Sequence, residues 1–334
     1  MSALAVLGAG SWGTALAVLL ADRAPRLWDH RAERAAALAV SRVNTRYLSG
    51  VRLPDRVQVT GDLASAITGA STVVLAVPSH ALRDTARRLR ATPGFDAHAI
   101  VVNAAKGLEA ETGKGMSVVL REELPQPLSH IVTLAGPSHA EEVARGMPTT
   151  VVVAGIDATI LQRVQELCTT ETFRVYTNAD VVGVELAVSL KNVIAIAAGI
   201  CDGLGFGDNT KGALLTRGLA EMARLGAACG ARPETFAGLA GLGDLVTTAI
   251  SRHSRNRNLG DAIGRGRTLD EALAEIGMVA EGVRTARAVV DLARRHAVEM
   301  PISEQVHEVL FAAKEPRHAI RDLMLRAPKA EIWN

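Results

Sequence analysis

Leu4-Ala5-Val6-Leu7-Gly8-Ala9-Gly10-Ser11-Trp12-Gly13 decides how this chain begins to fold. Leu4 to Leu7 is a short apolar run of strand length. Three glycines at G-x-G-x-x-G spacing follow, and then a helical pattern from Thr14 to Ala21. Each glycine answers a steric demand. Gly8 permits the tight turn, Gly10 lets a pyrophosphate approach the backbone, and Gly13 lets helix pack close to strand, with the helix N-terminus facing negative charge. A ligand-free glycine turn can share this pattern. Its place between strand and helix at the start of a βαβ unit favours a dinucleotide.

Outward from the loop, Arg26 to Trp28 makes a second, short run ending in Asp29-His30-Arg31, where a dinucleotide fold tests the adenosine ribose. Asp29 could accept bonds from both ribose hydroxyls and favour NAD. Arg31, helped by His30, could hold a 2′-phosphate and favour NADP. The two readings point in opposite directions and stay open. Further runs at Thr72 to Val77, Ala99 to Asn103, Ile131 to Leu134 and Thr149 to Ala154 end at or near Gly or Pro and alternate with helical stretches. The pattern predicts an α/β, Rossmann-like, doubly wound and mainly parallel sheet with ligands at the strand C-termini. Lys106 and the turn Gly136-Pro137-Ser138-His139-Ala140 both follow strands, so they fall on that edge, although Gly-Pro-Ser is also ordinary turn chemistry.

Past Tyr176 the strand-like runs stop and glycine-punctuated, Ala/Leu/Val-rich helical patterns take over. The expected boundary lies near 178, giving residues 1–178 as the dinucleotide domain and 179–334 as an all-helical domain. Asn178 and Asp180 serve as candidate caps for a helix from Ala179. Val181 to Ile200 is apolar enough to resemble a membrane span, but Glu185, Lys191 and Asn192 interrupt it, so a buried core helix is expected and no integral membrane segment. Lys191 is the chemical candidate. An ammonium buried there must find partners or lose its charge, which makes its pKa adjustable and suits acid/base work. Pairing with Glu185 is the plainer alternative, weakened by a separation outside helical i,i+3 or i,i+4 spacing.

Ser254-Arg255-Asn256-Arg257 stands before a helical pattern read from about Leu259, a plausible phosphate cradle or else a basic surface loop. Asp244 lies in Ala240-Gly241-Leu242-Gly243-Asp244, where it could approach a ligand or cap a helix.

At 334 residues, with 48% hydrophobic and 22% charged, the chain suits two globular domains. A net charge of +2 offers no basic stripe for nucleic acid. Cys168, Cys201 and Cys229 are far apart, and the histidines, His80 and His253 among them, form no spaced ligand set, so neither disulfides nor a metal site is expected. The N-terminus reaches its glycine loop with no room for a secretory leader, and a cytoplasmic protein is the expectation.

Together, GAGSWGTALA, AVPSH, AKGLE, GPSHAEE, FRVY, VSLKNVIAIAAGICDGLGFGDN, TRGLAEMARLGAACGA, GLAGLGDLV, SRNR and VAEG resemble the bacterial NAD(P)-dependent sn-glycerol-3-phosphate dehydrogenase family, in its order and over nearly the whole chain. The resemblance implies a Rossmann-like N-terminal domain and a 6-phosphogluconate-dehydrogenase-like all-α C-terminal domain. It implies reduction of dihydroxyacetone phosphate to sn-glycerol 3-phosphate by NADPH or NADH, feeding glycerophospholipid synthesis, and it leaves room for a homodimer. Matching positions imply dinucleotide contacts from Ser11, Trp12, His30 or Arg31, Lys106, Ala140, Arg255, Val279 and Glu281. They imply substrate contacts from Lys106, Gly136, Ser138, Lys191, Asp244, Ser254, Arg255 and Asn256, with Lys191 as the proton acceptor. The second strand is shorter than the family's, and the tail Ala327 to Asn334 matches nothing with a role. The rivals are a related β-hydroxyacid dehydrogenase acting on a carboxylate, and a dinucleotide sensor without catalysis.

Overall fold

Along strand β1 (Ala3–Leu7), Leu4 and Val6 enter one apolar cluster while Ala5 and Leu7 enter another. The first cluster contains Leu16 and Leu20 from the region of helix Ser11–Leu19, together with Ile160, Leu161 and Val164. The second contains Leu82, Ala86 and Leu89 together with Met116, Val119 and Leu120. A strand covered on both faces must be apolar at every position, so its sequence reads as a continuous run. The computed structural model describes residues 3–277, 279–328, 330 and 331. Of the tail that matched no role, residues 329 and 332–334 lie outside that set.

The remaining strands are β2 (Arg26–Trp28), β3 (Val43–Asn44), β4 (Leu48–Arg52), β5 (Gln58–Thr60), β6 (Ala70–Leu75), β7 (Ile100–Asn103), β8 (Ile131–Ala135), β9 (Thr149–Ala154) and β10 (Phe173–Asn178). Strands β3 and β4 pair with each other, and the other eight form one sheet ordered β5-β2-β1-β6-β7-β8-β9-β10. From β5 to β8 all neighbours are parallel. Strand β9 then reverses against β8, and β10 runs parallel to β9. Because β1 lies between β2 and β6, the chain leaves it in one direction along the sheet and later returns on the other side. That switch point opens the crevice in which this class of sheet binds ligands.

The sheet is mainly parallel, as the sequence pattern indicates, but four strands show no such pattern in the sequence. Strand β5 is three residues long at the sheet edge, β3 and β4 form the separate pair, and β10 alternates buried and exposed positions on the opposite edge. Strand β2 is indeed only three residues long.

The helical half is built around Val181–Gly203, buried continuously from Gly183 to Cys201. It begins at Val181 rather than Ala179, with the Asp180 side chain accepting from the Gly183 amide at 2.8 Å. Among the described residues it is the single helix long and apolar enough to cross a membrane, and its apolar faces are taken up by the surrounding protein, with 89% of the apolar window buried. Its cluster includes Leu225, Leu259, Val289 and Val306 from neighbouring helices and Leu108, Ala135, Val152 and Ala154 from the sheet half. The two halves therefore share one apolar seam.

Helix Arg255–Gly264 crosses this central helix closely because glycine faces glycine. A Cβ on Gly199 would overlap the Arg257 carbonyl, and one on Gly260 would overlap the Ile196 carbonyl. Gly203 and Gly264 repeat the arrangement one turn along. The small-residue pairs bring backbone against backbone, and so bring the Ser254-Arg255-Asn256 end of one helix beside Lys191 of the other.

Candidate active site

A cleft of about 550 Å³ runs from the glycine loop across the C-terminal sheet edge to the central helix. At its dinucleotide end, Gly8 adopts φ +112°, a conformation open to glycine, and its amide bonds to the Trp28 carbonyl at 2.9 Å. Gly13 sits so close to the Gly8 carbonyl that a Cβ would overlap it. Helix Ser11–Leu19 starts from Gly10 with no side-chain cap, so its first-turn amides are available to an anion. The buried Trp12 indole nitrogen lacks a hydrogen-bond partner within the protein. An uncapped helix start behind glycine backbone fits a pyrophosphate.

At the end of β2, Asp29 is buried and already engaged. Its Oδ1 accepts from the Arg31 amide at 2.9 Å, and its Oδ2 is held by Arg34, whose Nε lies 3.0 Å away. Arg34 also donates to Tyr47 Oη at 2.9 Å. Arg34 and Tyr47 escaped the sequence reading, although both line the cleft beside His30 and Arg31. Asp29 is not among the lining residues.

The chemistry-bearing group lies deeper. Lys191 is 4% exposed and Asp244 2% exposed. Lys191 Nζ donates to Asp244 Oδ1 at 2.8 Å and to Thr248 Oγ1 at 2.5 Å, while Lys106 Nζ donates to Asp244 Oδ2 at 3.0 Å and to the Gly136 carbonyl at 2.8 Å. One carboxylate is thus shared by two ammonium groups from the two halves of the chain, leaving one net positive charge when both lysines are protonated. Asp244 is no helix cap. It opens helix Asp244–Ile250, but its oxygens face the lysines. A π-helical turn, Leu239–Gly243, delivers it there, the kind of irregularity that recurs at functional sites.

The electrostatics follow from the geometry. Burial lowers the Lys191 pKa to about 8, with Lys106 and Arg255 acting in the same direction and Asp244 pulling it back up. For Asp244, burial pushes upward but the two ammonium groups outweigh it, and the carboxyl lies below its ordinary range. His139 is also held down, by burial first and then by Lys191 and Lys106. A lysine near 8 can both donate and accept a proton close to neutral pH.

The SRNR segment belongs to a helix that begins earlier than its pattern suggested. Ser254 is the N-cap of Arg255–Gly264, its Oγ accepting from the Arg257 amide at 3.2 Å. Arg257 turns away to Asp202, with its Nε at 2.7 Å. Asn256 donates to Asn192 Oδ1 at 2.9 Å and accepts from the Gly282 amide at 2.9 Å, tying this helix to the residue after Lys191 and the residue after Glu281. Glu281 reaches the sheet half, accepting from Ser79 Oγ at 2.6 Å and from the Ser79 amide at 3.3 Å.

The cleft is lined by Gly8, Gly10, Ser11, Trp12, His30, Arg31, Lys106, Ser138, Ala140, Lys191, Asp244, Ser254, Arg255, Asn256, Val279 and Glu281. Gly13 and Gly136 lie outside the lining, Gly13 behind the loop and Gly136 beneath the Lys106 ammonium. His80 and His253, read as isolated, also lie on the wall, as do His139, Asn192 and Thr248. Thr248 has a periodic signature in the sequence: it stands four residues after Asp244, one turn along the same face.

Comparison with known proteins agrees along the whole chain. The family profile described as NAD-dependent glycerol-3-phosphate dehydrogenase N-terminus matches residues 3–160, and its C-terminus counterpart matches residues 180–321. A Chlorobium limicola protein named glycerol-3-phosphate dehydrogenase (NAD(P)+) is 55% identical over 333 residues, covering 99% of each chain. A Moorella thermoacetica protein of the same name is 52% identical over 98% of this chain and 97% of its own. Among solved structures, the Coxiella burnetii glycerol-3-phosphate dehydrogenase superposes with a TM-score of 0.92 at 40% identity, covering 97% of this chain and 99% of that one.

Proposed function

Since the chain belongs to the NAD-dependent glycerol-3-phosphate dehydrogenase family, we propose that it reduces dihydroxyacetone phosphate reversibly to sn-glycerol 3-phosphate with NADPH or NADH, using Lys191 as proton donor and acceptor. Residues 1–178 act as the dinucleotide domain and 179–334 as the substrate domain. The observation that carries the reading is the sharing of Asp244 between Lys191 and Lys106 at the base of the dinucleotide cleft.

A bound nicotinamide supplies the hydride. Everything else falls to side chains of this chain. Gly8, Gly10 and Gly13 shape the loop whose Ser11 and Trp12 amides receive the pyrophosphate, and Ala140, Val279 and Glu281 complete the dinucleotide wall. As hydride reaches the carbonyl carbon, negative charge grows on the carbonyl oxygen. The Lys191 ammonium stabilises that charge and then gives up its proton. In oxidation the free amine takes the proton back, and a pKa near 8 makes both directions accessible. Asp244 orients both lysines and keeps Lys191 protonated at neutral pH. Lys106 adds a second positive group, held to Gly136 and flanked by Ser138. Arg255, with Ser254 and Asn256 at the same helix start, anchors the phosphate, whose binding energy orients the reacting carbon.

For the cofactor, the engagement of Asp29 with Arg34 and the Arg31 amide favours NADPH. Its oxygens are committed, while His30 and Arg31 stand at the cleft wall where a 2′-phosphate would be received. Product supply to glycerophospholipid synthesis, a cytoplasmic location and a homodimer complete the proposal. Sedimentation at working concentration checks the last.

The test is loss of nicotinamide absorbance with purified protein and dihydroxyacetone phosphate, with NADPH and NADH in parallel. Turnover with both, and a lower KM for NADPH, is expected. Turnover of a hydroxy- or keto-carboxylate without dihydroxyacetone phosphate would favour the related β-hydroxyacid class, and binding of NADPH with no oxidation would favour a sensor.

A further inference from the structure

Six residues before Lys191, on the same helix, stands a second ionisable side chain among apolar neighbours, Glu185, for which the reaction chemistry has no use. It is 5% exposed, and its four hydrogen-bond donors all come from the sheet half. Oε1 accepts from the Ser117 amide at 2.8 Å, Thr133 Oγ1 at 2.7 Å and Asn103 Nδ2 at 3.3 Å, and Oε2 accepts from Ser117 Oγ at 2.9 Å. Ser117 lies in the first turn of helix Met116–Glu123, whose N-cap, Gly115, provides no side chain. Glu185 supplies that missing acceptor from the other half of the chain, at a helix end that suits an anion.

The donors are the roots of the active site. Asn103 ends β7, and its side chain also brackets the next turn, accepting from the Ala105 amide at 3.0 Å and donating to the Ala105 carbonyl at 3.3 Å. It therefore sets the path of the backbone into Lys106. Thr133 sits on β8 three residues before Gly136, whose carbonyl accepts from Lys106 Nζ at 2.8 Å. One carboxylate grips the strand ends that place Lys106 and its anchor, and its own helix carries Lys191. We propose that Glu185 is a positioning residue, clamping the Lys191 helix to those strand ends so that Lys106 reaches the Asp244 already held by Lys191. The proposal rests on the roles of Lys106 and Lys191 given above.

Gly115 belongs to the clamp. A Cβ there would overlap Glu185 Oε2, yet its φ −64° and ψ 156° are open to any residue. Only the approach of the carboxylate demands glycine. Gly115→Ala therefore displaces Glu185 without straining the backbone. Glu185→Leu removes the acceptor, whereas Glu185→Gln can keep Oε1 in place and donate its amide to Ser117 Oγ.

The experiment measures kcat for dihydroxyacetone phosphate reduction, NADPH dissociation constants by fluorescence, and folded fraction, in these variants with and without Lys106→Ala. Misplaced reacting groups cost rate steeply, so Gly115→Ala should lower kcat about tenfold and Glu185→Leu further, with NADPH affinity within about twofold. Glu185→Gln should retain roughly a third or more of kcat, because the three bonds to Oε1 can form unchanged and the one to Ser117 Oγ can form with its direction reversed. In the Lys106→Ala background, Gly115→Ala should cost little more, since the clamp acts through that lysine. Additive losses, or losses that track folded fraction or NADPH affinity, overturn the proposal. Full activity of Lys106→Ala alone would overturn the lysine reading beneath it. If Glu185→Leu does not fold, the cycle is run with Gly115→Ala and the near-isosteric Thr133→Val.

Discussion

Replacing Asp244 by Asn removes the carboxylate between the two ammonium groups while keeping its shape. The Lys191 pKa of about 8 is a balance in which burial, Lys106 and Arg255 push down and Asp244 pushes up. An opposite charge in contact is worth about 1–3 pKa units, so the variant should bring Lys191 to about 5–7. At pH 7 the ammonium share then falls from about nine-tenths to between about a half and a hundredth. Reduction needs the ammonium, so kcat for dihydroxyacetone phosphate declines as pH rises through the Lys191 pKa, and oxidation of glycerol 3-phosphate rises through it. Both limbs should centre near pH 8 in the parent. In Asp244→Asn both should move in the acid direction by at least about one unit, and reductive kcat at pH 7 should fall with the ammonium share, by about 2- to 90-fold. The assay is steady-state kcat against pH in both directions. A limb that stays at its parent position in the variant would refute the electrostatic reasoning, whatever the height of the plateau.

Arg255→Ala should raise KM for dihydroxyacetone phosphate by roughly 10- to 100-fold, the worth of a charged hydrogen bond, and should leave unphosphorylated dihydroxyacetone nearly unaffected; steady-state kinetics with both ketones decides. Arg31→Ala should raise KM for NADPH about tenfold and leave NADH within about twofold, which parallel titrations of the two cofactors check. Gly260→Ala forces a methyl group against the Ile196 carbonyl, so thermal melting should report a loss of about 1–3 kcal/mol or more, accompanied by a higher substrate KM as the Arg255 helix shifts from Lys191.

The parts legible in the sequence are those whose cause is local. Strand β1, buried on both faces, shows as an unbroken apolar run, and the loop after it must be glycine for steric reasons that any reader of G-x-G-x-x-G can apply. Lys191 stands out because its neighbours along the helix are apolar. Strand β5, three residues at an exposed edge, has too little pattern to register, and β10 buries only Phe173 and Val175 between exposed neighbours, so it shows no continuous apolar run. Gly199, Gly203 and Gly260 read as punctuation when, with Gly264, they are the two surfaces of a helix crossing, a fact that needs both helices in view. The same limit hid Arg34 on Asp29 and the donors of Glu185, which come from positions 103, 117 and 133. Val279 and Glu281 carried no signal of their own, and family resemblance alone pointed to them before the cleft gathered them.

The most direct test of the account is the initial rate of NADPH oxidation with dihydroxyacetone phosphate by the parent and by Lys191→Ala, each saturated with NADPH. Turnover by the parent is expected, with a loss of roughly 10²-fold or more in the variant and the NADPH dissociation constant nearly unchanged. Near-parental turnover by Lys191→Ala would contradict it.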